Sequence, residues 1–168
     1  MKGFHSRPTT DFGKEGLFNI LEHSIELNDI KVLDLFAGTG NISFEFISRG
    51  ALSVHSVDSN FKAVQFVKNT STSLGLNREC HQITKSEAGK FLEKTEGIYD
   101  IIFADPPFDF EGYEAIILSI KDLNRLKSNG LVVIEHSKTL DISHIAGYQK
   151  THTFGHVCFS FFNFEYNE

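Results

Sequence analysis

The tetrapeptide Asp105-Pro106-Pro107-Phe108 combines a carboxylate, two rigid backbone residues and an aromatic ring. Proline has a fixed φ and no N–H, so two in series hold a backbone carbonyl in one direction. The Asp105 carboxylate and the Pro106 carbonyl can accept the two N–H groups of a planar exocyclic amine and aim its lone pair. The Phe108 ring offers a face on which a flipped base stacks. The pattern predicts methyl transfer to a nucleobase amine; the alternative is a structural turn with a core phenylalanine.

Helical and strand patterns of apolar residues alternate along the chain, and these elements must position the tetrapeptide. The patterns predict helices over 10–27, 41–49, 61–74, 86–94 and 112–127, and strands over 31–36, 53–57, 80–84, 99–104, 130–136, 148–153 and 157–164. Five strands alternating with helices predict a mostly parallel sheet covered on both faces, and the short last connection predicts a C-terminal antiparallel hairpin. This is the Rossmann-like α/β plan of the seven-stranded methyltransferases, here one domain over 1–168. Ligands bind such sheets at the carboxyl ends of the strands.

The first strand ends in a glycine turn, Asp34-Leu35-Phe36-Ala37-Gly38-Thr39-Gly40. Glycines allow a sharp turn close to a ligand, but Ser43 stands where a dinucleotide fingerprint has its third glycine. An acid four residues before Gly38 fits a cofactor with a positive amino group and no phosphate. Asp34 is expected to sense the ammonium of S-adenosyl-L-methionine directly or through water. The alternative is a turn that merely joins a strand to a helix.

Acids also follow the second and third strands. Asp58, about 20 residues past the glycine turn, can accept both ribose hydroxyls of an adenosine. Its alternative role as a helix N-cap can be taken by Asn60, which leaves Asp58 for the ribose. Glu87 either accepts from the adenine amino group or stabilises the first turn of a helix.

Six blocks of the chain resemble the RsmD family of guanine-N2 methyltransferases of bacterial small-subunit ribosomal RNA. The blocks are RPTTD (7–11), LFNIL (17–21), VLDLFAGTG (32–40), SRGA (48–51), DPPF (105–108) and VIEHS (133–137). The resemblance implies that residues 1–28 form a segment and helix covering the cofactor. It implies catalysis by Asp105, Pro106, Pro107 and Phe108. The expected cofactor-binding residues are Arg7, Pro8, Thr9, Thr10, Asp34, Phe36, Ala37, Gly38, Thr39, Gly40, Asp58, Ser59, Asn60 and Glu87.

Composition limits the partners of the protein. The net charge is -6, so we expect weak binding to naked RNA and help from a preformed ribosomal particle or a basic rim. The rim would consist of Lys2, His5, Arg7, Lys14 and Lys138. No apolar run has membrane length, the two cysteines lack metal-type spacing, and we expect a cytoplasmic monomer without metal.

Two other functions fit the same residues. The same Asp-Pro-Pro-Phe chemistry serves N6-adenine methylation of DNA or RNA. A methyltransferase fold can also persist as a catalytically silent RNA-binding module, although the intact acids and glycines argue against that alternative.

Overall fold

Residues 11–107 and 109–165 are described by a computed structural model of the chain. The helices are α1 (Asp11–Ser24), α2 (Asn41–Ser48), α3 (Phe61–Ser73), α4 (Ala88–Lys94) and α5 (Tyr113–Asp122). The strands are β1 (Lys31–Leu35), β2 (Ser53–Asp58), β3 (His81–Lys85), β4 (Tyr99–Ala104), β5 (Leu126–Ser137), β6 (Tyr148–Phe154) and β7 (Val157–Phe162).

The strands form one seven-stranded sheet in the order β3-β2-β1-β4-β5-β7-β6. The first five strands are parallel, and β7 lies antiparallel between β5 and β6. One apolar core packs α1 and α2 against the sheet, and a second core packs α4 and α5 against the opposite face. The predicted fold class is therefore confirmed. The strand order reverses between β1 and β4, which is where ligands bind in such sheets.

Helix α1 packs against α2 and the C-terminal hairpin. Phe18 meets Phe46 of α2 edge to face at 4.7 Å. A Cβ added at Gly16 would collide with the Phe154 ring, so any larger residue at this position would force that ring to shift. Lys14 donates to Asn41 at 3.0 Å and pairs with Glu45 at 3.2 Å. The N-terminal helix is thereby held beside the start of α2.

The predicted helix over 112–127 is wrong at its C-terminal end. Helix α5 ends at Asp122, and β5 already begins at Leu126, whose pairing partner is Tyr99. The Tyr99 N–H donates to the Arg125 carbonyl at 2.9 Å. Cross-strand hydrogen bonds thus take these residues out of the helix, although their apolar spacing continues the helical pattern.

Only some of the apolar residues of α3 and its C-terminal end are buried. Ala63, Val64 and Val67 are buried as expected, whereas Phe66 is 53% exposed and Leu74 is 60% exposed. Successive helix positions lie about 100° apart, so Phe66 points away from the stripe that its neighbours form. In the described part of the chain, no helix is long and apolar enough to cross a membrane.

Candidate active site

A cavity of about 340 Å³ opens at the carboxyl ends of β1, β2 and β3. Its wall continues onto the first turns of α4 and α5. The residues that line it are Phe36, Val57, Asp58, Ser59, Ser86, Glu87, Ala88, Gly89, Phe110, Gly112, Ala115 and Ile116. The cavity therefore brings together predicted cofactor residues from three different strand ends. A larger depression of about 690 Å³ lies around Lys121 and Lys127, but it is open and remote from these strand ends.

The Asp58 carboxylate organises the glycine turn. Its Oδ2 accepts from the Gly38 N–H at 2.8 Å, and its Oδ1 accepts from the Asn60 N–H at 2.7 Å. Gly38 and Gly40 have φ values of 55 and 76, which other residues adopt only with strain. Asn60 caps α3 by accepting from the Lys62 N–H at 2.8 Å, as its sequence position predicts. Since a carboxylate oxygen accepts two hydrogen bonds, Asp58 retains capacity for ribose hydroxyls.

Phe36 turns its ring away from the face predicted by strand alternation. Its φ of 62 ends β1 in the left-handed region. The ring then packs edge to face on Phe110 at 5.2 Å and lines the cavity. Aromatic and aliphatic walls with a carboxylate at the rim suit a planar purine joined to a ribose. The described residues therefore fit the adenosine part of S-adenosylmethionine.

Glu87 lies where α4 begins and also on the wall of the cavity. It is the N-cap residue of α4, yet its side chain makes no capping hydrogen bond. It pairs instead with Lys90 at 2.8 Å, and this hydrogen bond raises the pKa of Lys90. The contact of Glu87 with an adenine amino group stays a prediction.

Asp34 lies beneath the glycine turn and is 1% exposed. Ser43, the residue at the missing third glycine position, donates its hydroxyl to Asp34 Oδ2 at 2.5 Å. Burial raises the pKa of Asp34 to about 7, against the lowering effect of the Ser43 hydrogen bonds. The contact of Asp34 with the cofactor ammonium, directly or through water, stays a prediction.

Three acids on one face of the sheet surround the predicted reaction centre. Ala104 of β4 pairs with Ile134 of β5, so the next residues, Asp105 and Glu135, are neighbours across the two strand ends. Phe103 and Val133, two residues earlier, face the α1 side, and strand alternation places both acids on that side with Asp34. Burial raises the pKa of Asp105 well above its usual value, and the charges of Glu135 and Asp34 raise it further.

The buried Asp34 carboxylate should make stability fall as pH rises. A carboxyl whose pKa is higher in the folded state than in the unfolded state binds its proton more tightly when folded, so the stability it contributes is lost as pH rises from its ordinary pKa of 3.8 to its folded pKa of about 7. We expect Asp34→Asn to raise the free energy of unfolding by about 1–3 kcal/mol at pH 8 and by much less at pH 5. Urea unfolding at both values measures this difference. The exposed Asp122→Asn is the control, and an equal effect of Asp34→Asn at both values would contradict the prediction.

Some of the remaining predicted site residues lie in the described part of the chain, and others lie outside it. Pro106 is buried and Pro107 is exposed, with the Pro107 carbonyl accepting from the Phe110 N–H at 2.9 Å. Arg7, Pro8, Thr9, Thr10 and Phe108 lie outside the described residues, as do Lys2 and His5 of the predicted basic rim. Lys14 does not fit that rim because Asn41 and Glu45 bind its ammonium. Among the described residues, no group of three His, Cys, Asp or Glu is arranged to hold a metal ion.

Sequence reasoning missed several residues at this site. Glu135 belongs to the VIEHS block, but no role was predicted for it. An acid inside an otherwise apolar strand is the sequence feature that could have drawn attention to it. Phe110 supplies the second aromatic wall of the cavity. Ser56 and His81 are buried polar residues on β2 and β3 that hydrogen-bond toward Asp34 through Ser43. No local motif marks these two, since their partners come from other strands.

Known proteins match both the sequence and the fold. The model of the family described as Conserved hypothetical protein 95 matches residues 1–163. The Ribosomal RNA small subunit methyltransferase D of Buchnera aphidicola is 33% identical, with 80% of this chain and 67% of that protein covered. The protein of the same name from Haemophilus influenzae is also 33% identical, with 79% and 68% covered.

Two solved structures show the same fold. A conserved hypothetical protein of Streptococcus pyogenes superposes with a TM-score of 0.80 at 28% identity and covers 89% of this chain and 94% of its own. A 16S rRNA N2 G1207 methyltransferase (RsmC) of Thermus thermophilus, in complex with AdoMet and guanosine, superposes with a TM-score of 0.73 at 21% identity. That match covers 95% of this chain and 44% of the neighbour, and at this identity it shows the fold alone.

The sheet order is that of the class I methyltransferase fold, and the glycine turn and the cavity lie at the strand ends where such a sheet binds its ligand. The match over residues 1–163 and the relatives at 33% identity then specify the family. The chain belongs to the RsmD family of S-adenosylmethionine-dependent rRNA methyltransferases.

Proposed function

We propose that this protein methylates the exocyclic N2 amine of a guanine in small-subunit ribosomal RNA. The observation that carries the proposal is that Asp105, directly after β4, lies beside Glu135 on the adjacent strand β5. Guanine presents N1–H and N2–H₂ side by side, so its edge offers donors to two neighbouring carboxylates. Adenine presents an acceptor at N1 beside its N6 amine, which a second carboxylate would repel. The acid pair thus favours guanine over the N6-adenine alternative.

The residues divide the work of the reaction. S-adenosylmethionine supplies, when bound, an electrophilic methyl group on a positively charged sulfur. Asp58 and the glycine turn would hold its adenosine and methionine parts, and Phe36 and Phe110 would line the site of the purine. Asp105 accepts one N–H of the target amine and orients its lone pair, while the Pro106 carbonyl accepts the other. The raised pKa of Asp105 makes its carboxylate a suitable acceptor for the proton that the amine loses.

The rRNA substrate is supported by the names of the relatives. Two proteins at 33% identity are named Ribosomal RNA small subunit methyltransferase D. A cytoplasmic location follows from such a substrate. The net charge of -6 and the occupied Lys14 favour a preformed small-subunit particle over naked RNA as the molecule that is bound. Equal methylation of naked and assembled rRNA at physiological salt would contradict this last inference.

The decisive experiment identifies the methylated nucleoside. The protein is incubated with S-adenosylmethionine and small-subunit particles from cells that lack the modification, and nucleosides are analysed by mass spectrometry after digestion. We expect N2-methylguanosine; N6-methyladenosine as the product would overturn the proposal. If neither naked rRNA nor small-subunit particles were methylated while cofactor binding stayed intact, the result would favour the silent binding module.

Replacing Glu135 by glutamine should weaken the recognition of the N1–H. A lost base contact costs about 1–3 kcal/mol, so we expect roughly a 5- to 150-fold lower kcat/KM with guanine. A substrate with 2-aminopurine at the target position keeps the N2 amine but has an acceptor at N1, and Glu135→Gln should methylate it relatively better than the wild type does. The exposed Glu111→Gln is the control. An unchanged ratio of guanine to 2-aminopurine would show that Glu135 does not read N1.

A further inference from the structure

A continuous row of buried hydrogen bonds leads from Asp34 across the sheet to α3. The Ser43 hydroxyl meets Asp34 at 2.5 Å, Ser56 Oγ lies 2.6 Å from Ser43 Oγ, and His81 Nε2 lies 2.7 Å from Ser56 Oγ. At the far end, His81 Nδ1 lies 3.2 Å from Ser71 Oγ. All five side chains are buried. We call this row the His81 relay.

Proton counting leaves the His81 relay two consistent directions. Each serine hydroxyl carries one proton and has a hydrogen-bond partner on both sides. When Asp34 is ionised, it accepts from Ser43, Ser43 accepts from Ser56, and Ser56 accepts from a His81 ring protonated at Nε2. When Asp34 is protonated on Oδ2, the oxygen that meets Ser43, every donor becomes an acceptor, and the His81 ring carries its proton on Nδ1 and donates to Ser71. The charge of Asp34 and the tautomer of His81 are therefore linked.

The surroundings keep His81 neutral while Asp34 titrates. Burial lowers the pKa of His81 to about 4, so the ring responds through its tautomer and not through its charge above that value. The neighbouring His55 has its pKa lowered to about 4 as well. Asp34 has a pKa of about 7 and is faced by Asp58 on β2 and Glu135 on β5, whose charges raise it. Asp105 after β4 also faces Asp34, whose charge raises the pKa of Asp105.

We propose that His81 is a positioning residue for the cofactor, because the His81 relay holds Asp34 as an ionised acceptor beneath the glycine turn. When His81 carries its proton on Nε2, Asp34 is ionised, and this is the state of the protein that binds a positively charged methyl donor. The inference rests on the proposed function only in using S-adenosylmethionine as that donor. It is independent of which base receives the methyl group, so its failure and that of the guanine assignment are distinguishable.

The tautomer of His81 is directly measurable. In protein labelled with ¹⁵N-histidine, two-bond ¹H–¹⁵N correlations distinguish Nε2–H from Nδ1–H. We expect Nε2–H at about pH 8.5 and a shift toward Nδ1–H at about pH 5.5, with S-adenosylmethionine restoring Nε2–H at the lower pH. His55, whose Nε2 lies 2.8 Å from Thr84 Oγ1, is the internal control and should not change its tautomer. One unchanged tautomer of His81 under all three conditions would overturn the proposal.

The variant Ser56→Ala tests whether His81 acts on Asp34 through the His81 relay or only supports the structure. Removing this hydroxyl breaks the row between His81 and Ser43, so the His81 tautomer should no longer follow pH or cofactor. Calorimetric titration with S-adenosylmethionine should show about tenfold tighter binding by the wild type at pH 8 than at pH 6, and a smaller ratio for Ser56→Ala. A His81 tautomer that still follows pH in Ser56→Ala, or an identical affinity ratio in both proteins, would contradict the relay. Should Ser56→Ala not fold, the pH and cofactor series on the wild type still decides the proposal.

Discussion

Replacing Asp105 by alanine should lower kcat by about a thousandfold while changing the dissociation constant of S-adenosylmethionine by less than about threefold. Asp105 directly follows β4 and does not line the cavity that Phe36 and Phe110 enclose, so its loss leaves the adenosine contacts in place. It removes the acceptor that orients the amine and takes its proton. The expected effect therefore falls on turnover, because the interaction matters most in the transition state.

Single-turnover kinetics and calorimetry measure the two quantities separately. Asp109→Ala, an exposed acid in the same connection, is the matched control and should remain near the wild-type rate. The wild-type rate should rise with pH through the raised pKa of Asp105, since the ionised form is the acceptor. Asp105→Asn retains one oxygen and should lose part of this pH dependence. A kcat unchanged in Asp105→Ala would refute the catalytic role.

Asp58→Ala is expected to have the largest effect on cofactor binding, about a hundredfold increase in the dissociation constant. The variant loses the acceptor for two ribose hydroxyls and leaves the N–H groups of Gly38 and Asn60 without their carboxylate partner. Hydrogen bonds to a charged group contribute about 1.5–3 kcal/mol each, and the glycine turn also loses its support.

The thermal shift produced by saturating S-adenosylmethionine gives an independent measure. Asn60→Ala removes the cap of α3 and should lower stability by about 1 kcal/mol with a much smaller effect on cofactor affinity. Comparison of Asp58→Ala with Asn60→Ala therefore separates ribose binding from helix capping. Equal affinities in wild type and Asp58→Ala would mean that Asp58 is a structural residue of the turn.

These two predictions also separate the enzyme from the silent binding module. A module that kept only the fold would show no cofactor-dependent stabilisation and no response to Asp58→Ala. A module that kept cofactor binding would respond to Asp58→Ala but show no turnover for Asp105→Ala to reduce. The enzyme responds to both changes, each in its own measurement.

Local signals were enough to predict the order of the elements and the acids at the strand ends. Apolar periodicity, glycines after strands and the Pro-Pro pair act within a few residues, so they can be read without long-range contacts. The confirmed sheet plan, the capping by Asn60 and the meeting of Asp58 with Glu87 at one cavity all follow from such signals. Where two structures compete for the same residues, as at 123–126, the sheet register overrode the local helical pattern.

The sequence by itself thus determined the class of fold and the candidate cofactor residues. Only the tertiary structure decided which side chains face one another. The register of strands that are distant in sequence brings Asp105 close to Glu135. It also aligns the row of hydrogen bonds from Asp34 to His81. The turn of Phe36 onto Phe110 depends on a left-handed backbone that a non-glycine residue rarely adopts. These contacts are non-local or strained, and no local pattern of residue types specifies them.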